Sequence, residues 1–187
     1  FWCFRSISKQ FAGPEAKNWG WFFLFGSIAY LIGVPVHGFS WYFSELNHFC
    51  IWLVMGWMQI LAVLFAQFAT AKRYFSNQLK WIRPLILAQF VFFCALMPVI
   101  RKFAAVNIDV ALGLVPIAVF HISLHRKKKL ATALVGWGIL FAALAGVAFI
   151  FKIMISSWFS YNDIAHVILG VSLLMMYSGL KKNFGSA

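Results

Sequence analysis

The chain has 187 residues, of which 63% are hydrophobic, 19% aromatic and 11% charged, and its formal net charge is +12. Soluble domains carry about 25% charged residues, so this composition, with a mean hydropathy of +0.86, excludes a soluble fold and points to an integral membrane protein. The basic residues fall in short clusters between apolar runs, a pattern that excludes nucleic acid as a partner and suits membrane lipids with anionic headgroups at the cytoplasmic face.

A spanning helix needs roughly 20 mostly apolar residues. Six stretches qualify, so the expected fold is all-α, a single polytopic transmembrane helix bundle over residues 1–187. The opening "FWCF" reads as the last turn of an earlier helix, which would make seven spans in the full-length chain. Cys3, Cys50 and Cys94 are scattered and give neither a disulfide framework nor a metal knuckle.

The first span is predicted at 20–43. Gly26, Ala29, Gly33, His37, Ser40 and Ser44 form one stripe along it, small at one end and polar at the other, suited to packing against other helices. "SELNH" follows, read either as a helix start capped by Ser44 or as the rim of a site containing Glu45 and His48. The second span, 49–71, holds Gln59 and Gln67, and the third, 84–100, holds Gln89; these amides are expected to be interhelical hydrogen-bond partners. Arg101 and Lys102 leave only a tight turn before the fourth span, 104–122, which carries Asp109 early and ends near His121 and His125. Both histidines are expected to snorkel toward headgroups. The fifth span, 130–151, offers a ridge of Gly138, Ala142 and Gly146 for close packing. The sixth, 158–180, places Asn162, Asp163 and His166 at the head of an apolar run. Trp19, Trp21, Trp52 and Trp81 are expected at membrane interfaces.

Alternating the spans from an inside N-terminal segment puts thirteen Lys and Arg residues on one side and three, Arg101, Lys102 and Lys152, on the other. The positive-inside rule then places the C-terminus in the cytoplasm. Glu45, Asp109 and Asp163 fall near the outer face, and His37 and His166 lie roughly 9–12 Å below the outer helix ends at 1.5 Å per residue. Charged groups at such depth cost about 2.5–3.5 kcal/mol each on insertion scales, so they are expected to face the bundle and pair. The pairing is either a structural Asp–His tie between the first and last spans or a metal or cofactor site.

"GVPVHGFSWYF" and "NDIAHVILG" resemble two motifs of the seven-helix hydrolase superfamily that includes alkaline ceramidases and the progestin/adiponectin receptors. That superfamily holds zinc with one histidine of an early SxxxH and two of a late HxxxH. His37 matches the early histidine and His166 the second late one; Gly33 stands where the family has serine, and Asn162 where it has the first late histidine. The "NDxxH" and "HGF" forms look like a DUF-type bacterial branch, which implies a bacterial inner membrane. The resemblance implies a zinc site of His37, His166 and the adjacent Asp163, with water in the fourth position attacking a lipid amide or ester near the outer leaflet. Ser40 would then face the oxyanion, Asn162 would orient the ligands, and Asp109 or Glu45 would move protons. Iron(II) suits the same triad. Two alternatives stand beside it: a b-type haem held by His37 and His166, and a non-catalytic receptor, transporter or accessory subunit with a membrane-protein partner.

Overall fold

The computed structural model describes residues 2–3, 6–7, 13–102, 104–125, 130–156 and 159–185; of these, the side chains of 37, 38, 40, 125, 130–132, 150 and 185 are not described. The architecture is all-α. Among the described residues six long helices follow in order: α1 (Pro14–Gly38), α2 (Glu45–Tyr74), α3 (Leu79–Ile100), α4 (Ala104–His125), α5 (Leu130–Ile150) and α6 (Tyr161–Gly185). Among the described residues, five helices are long and apolar enough to cross a membrane, and Ala133–Phe149 in α5 is a shorter apolar helix. The chain divides into two compact units, Phe1–Gly113 and Leu114–Ala187, with the boundary inside α4.

Local chemistry explains where the elements start and stop. The first helix begins at Pro14, six residues earlier than the hydropathy pattern predicts, because Gly13 and Pro14 occupy the cap and first positions, where a missing N–H costs nothing. It ends at Gly38, so Ser40 lies in a 3-10 turn (Ser40–Tyr42) and Ser44 caps the next helix, its hydroxyl accepting from the Asn47 N–H at 3.3 Å. The last helix starts at Tyr161 and runs to Gly185, later at both ends than predicted. "FWCF" is described only at Trp2 and Cys3, so the reading of it as a helix end lies outside the described residues, as does the Arg126–Lys129 run.

In the first unit α1 and α2 are antiparallel. Glu15 pairs with Arg73 at 3.8 Å at one end, Phe25 stacks on Phe65 at 5.5 Å in the middle, and the His48 ring lies 3.2 Å from the Val36 carbonyl at the other. The expected small stripe is the buried face of α1 at Gly26, Ala29 and Gly33. Trp19 is buried within the unit, 1% exposed, with its indole edge-on to the Phe22 ring at 5.5 Å. The α3–α4 turn is made by Arg101 in the left-handed region (φ 53°), and its guanidinium sits 4.8 Å over the Phe49 ring. Ile60, Phe93, Met97, Ala105 and Val106 from α2, α3 and α4 pack into one apolar cluster.

In the second unit α5 makes two close approaches one turn from its middle. A Cβ on Gly136 would meet the Ala118 carbonyl oxygen at 2.6 Å, and one on Gly138 would meet the Ser172 carbonyl oxygen at 3.0 Å. Gly138 also accepts the Ser172 hydroxyl at 2.7 Å. The expected ridge is thus half realised: Gly146 is exposed and faces open space. His121 is buried at 1% exposure and does not snorkel, because its position on α4 turns the ring into the unit, edge-on to Phe120.

Candidate functional site: a polar ladder across three helices

Of the three expected ligand residues, Asp163 and His166 have described side chains. Asp163 is three residues beyond Ser160, and its Oδ2 accepts both the Ser160 backbone N–H and the Ser160 hydroxyl at 2.8 Å. This is one half of a capping box, in which an acid in the first turn reaches back to the N–H of the residue before the helix, and the helix N-terminus favours its charge. A carboxylate at the head of an apolar helix is therefore accounted for by the start of that helix. Asn162 beside it is half-buried, and His166, one turn on, is exposed. His37 and Ser40 are placed on the backbone at the end of α1 and in the 3-10 turn, with their side chains outside the described set. Glu45 is exposed at the first position of α2. Among the described residues no group of three His, Cys, Asp or Glu side chains is arranged to hold a metal ion.

His48, left between a cap and a site rim by the sequence, proves to be a clamp. Its ring reaches the Val36 carbonyl, one of the last four carbonyls of α1, which have no partner within their own helix. With Phe49 under Arg101, this dipeptide ties the start of α2 to both neighbouring helices.

The polar residues that do converge lie deeper in the same unit. Gln67 on α2 donates its amide N–H to Gln89 Oε1 on α3 at 3.0 Å. Gln89 in turn donates to Asp109 Oδ1 on α4 at 2.7 Å and to the Asp109 backbone carbonyl at 3.3 Å. Every donor in the ladder points toward the carboxyl group. Asp109 is 1% exposed, and its second oxygen, Oδ2, is enclosed with no hydrogen-bond partner among the described residues. At 1.5 Å per residue, Asp109 lies about 8 Å along α4 from its start and Gln89 about 15 Å from the start of α3, well inside a spanning helix. The amides were legible as interhelical partners; Gln59, grouped with them, is half-buried and makes no such bond among the described residues.

Glycine makes this meeting possible. Gly113, one turn beyond Asp109, sits so close that a Cβ there would collide with a Val63 methyl and crowd the Gln67 and Gln89 amide nitrogens at 3.2 and 3.3 Å. Gly56 similarly accommodates the Met97 side chain and approaches Val106. Three helices can therefore close around amides that would otherwise be held apart.

The family model described as a family of unknown function, DUF6962, matches residues 1–183. The chain belongs to that family. No curated protein matches it, and no solved structure does.

The ladder predicts coupled energetics. Gln89→Leu strips the donor from a buried carboxyl and is expected to destabilise the protein in detergent by about 1–3 kcal/mol. Asp109→Leu in the Gln89→Leu background is expected to restore part of that loss, a coupling of about 0.5–3 kcal/mol in an unfolding double-mutant cycle. Strictly additive effects would mean that the two side chains do not interact.

Proposed function

We propose that this member of the DUF6962 family is a proton-responsive multi-pass membrane protein, and that Asp109 is the group that takes up and releases the proton. The observation that carries the reading is the half-satisfied carboxyl: one oxygen held by Gln89, the other enclosed and without a partner among the described residues. An ionisable group within a spanning segment is costly and is retained where it moves or binds charge.

The chemistry of the ladder favours a proton over a metal cation. Hard cations are bound by about six to eight oxygens. Here Gln89 turns its N–H toward the carboxyl, and its oxygen is engaged by Gln67. The ladder thus presents donors, with Asp109 Oδ2 as the open acceptor. Ionised, Asp109 is the acceptor of a charge-assisted bond at 2.7 Å. Protonated, it becomes a donor at Oδ2 and loses that charge assistance. The groups around it on the packed helices are Gln67 and Val63 on α2, Gln89 and Cys94 on α3, and Gly113 on α4; Cys94 is the titratable one among them. A proton at Asp109 therefore changes the bond that joins α3 to α4.

The chain has four acidic side chains, which makes a direct measurement simple. Infrared difference spectra across a pH titration are expected to show the carbonyl stretch of a buried carboxylic acid that disappears in Asp109→Asn and shifts in Gln89→Leu. A titration without such a band, or one unchanged by Asp109→Asn, removes the reading.

We further propose that the basic side of the helices is cytoplasmic, with the C-terminus there and the bacterial inner membrane as the location, supported by the thirteen-to-three division of Lys and Arg. A fluorescent-protein fusion at the C-terminus is expected to fluoresce; a dark fusion with an active periplasmic reporter reverses the orientation.

A metal-dependent lipid hydrolase is a second proposal, supported by the resemblance of the His37 and His166 segments. It requires zinc or iron at about one per chain in purified protein, lost in His166→Ala. Metal-free protein, or metal unaffected by that change, rules it out.

A further inference from the structure

The connection between α5 and α6 has a composition unlike that of a water-exposed loop. Residues 151–155 are Phe-Lys-Ile-Met-Ile and are not helical. The four apolar side chains are exposed: Phe151 73%, Ile153 46%, Met154 62% and Ile155 75%. A polar loop would leave its backbone N–H groups to water; four of the five in this one, those of Phe151, Lys152, Ile153 and Ile155, are satisfied within the chain.

The closure starts at the end of α5. Lys152 adopts the left-handed conformation (φ 48°). Its N–H donates to the Phe149 carbonyl at 3.3 Å, and the Ile153 N–H reaches back to the Ala148 carbonyl at 3.0 Å. Together these bonds form the Schellman motif, which satisfies carbonyls that a helix end otherwise leaves to water. Ile155 N–H then donates to the Phe159 carbonyl at 3.3 Å, and Phe159 N–H returns to the Ser156 hydroxyl at 3.1 Å. Ser160 N–H ends on Asp163. Backbone donors from the end of one helix to the start of the next are thus closed internally at Phe151, Lys152, Ile153, Ile155, Phe159 and Ser160.

Internal closure of its N–H groups lowers the cost at which a segment leaves water for the boundary of headgroups and acyl chains, where headgroup water still reaches its carbonyls. Apolar side chains pointing outward are what it gains by doing so. The single basic side chain in the run, Lys152, has a long stem that keeps its ammonium among lipid phosphates while its neighbours sit deeper. The last turn of α5 exposes Val147 and Phe149, so the loop continues an apolar surface on that side. We infer that residues 151–155 form a lipid-inserted loop, seated at the boundary between headgroups and acyl chains, with Lys152 on a lipid phosphate. This inference is independent of the role of Asp109.

The test uses the full chain with Cys3, Cys50 and Cys94 replaced by serine, carrying Met154→Cys or Ile155→Cys, nitroxide-labelled in phosphatidylethanolamine/phosphatidylglycerol vesicles. Power-saturation spectra compare collisions with oxygen, which concentrates in the bilayer, and with a water-soluble nickel chelate. Greater oxygen than nickel accessibility at both positions is expected. Greater nickel accessibility places the loop in water and overturns the inference. Low accessibility to both means that protein covers it, in this chain or a second copy, and overturns it as well. Unlabelled wild-type protein in the same vesicles gives a check free of substitutions. Met154 is expected to be oxidised by aqueous radicals as slowly as the buried Met97, and rapid oxidation of Met154 alone overturns the inference.

Discussion

A polar group in the interior of an apolar helix assembly has no water to fall back on, so it must find its partner within the protein. That constraint organises what is seen along this chain. The end of α1 hands a carbonyl to His48. Gly138 gives its carbonyl to Ser172 as well as to its own helix. The end of α5 folds back on itself through Lys152 and Ile153. In each case the side chain or turn that supplies the partner also fixes a helix against its neighbour or sets where it stops. Pairing and architecture are therefore one problem in this protein.

Two aspartates show how the same side chain meets the constraint in different ways. Asp163 stands in the first turn of α6, where one carboxylate oxygen takes two bonds from Ser160 and the helix start favours negative charge. Its charge state is set by local structure and asks nothing of other helices. Asp109 stands beyond the first turn of α4, past the reach of the helix N-terminus, and its partners come from other helices. A purely structural carboxyl would have both oxygens engaged, since each unmade bond to a buried polar atom costs about 1–3 kcal/mol. In each residue one oxygen carries the side-chain bonds; burial separates them, because the second oxygen of Asp109 is enclosed with no partner among the described residues, and makes Asp109 the more informative one.

Much of the helical layout is legible from hydropathy, because roughly 20 apolar residues bounded by charge have few other solutions. The stripe of Gly26, Ala29 and Gly33 likewise showed which face of α1 would be covered. Other features were written locally and overlooked. Ser160 and Asp163 have the S-x-x-D spacing of a capping box, a local signal within "SYNDIAH" that stands beside the ligand reading. Gly13–Pro14 is a helix-start signal that outweighs the weak hydropathy of the residues after it. The joining of Gln67, Gln89 and Asp109 could not be read in the same way. It depends on the rotation of three helices about their axes, and residues 22 and 20 positions apart along the chain carry no periodic signal of facing one another. The burial of His121 is hidden for the same reason: a basic run begins five residues on at Arg126, but the direction of the ring is set by the helix.

Gly113 connects the chemistry of Asp109 to the packing around it. With no side chain, it lets α4 approach until the Val63 methyl and both glutamine amides lie against its backbone. Amides so confined cannot reorient freely, so a change in what Asp109 offers them cannot be absorbed by rotation of a side chain alone. Interiors packed to this density pass such changes on to neighbouring elements. On the proposed reading, a proton arriving at Oδ2 weakens the 2.7 Å bond from Gln89, and the strain appears in the spacing of α2, α3 and α4. A larger residue at 113 would hold the helices apart and leave room for the amides to turn, breaking the link between charge and spacing while keeping the carboxyl itself. On that reading the acid supplies the charge, the amides read it, and the glycine makes the helices respond.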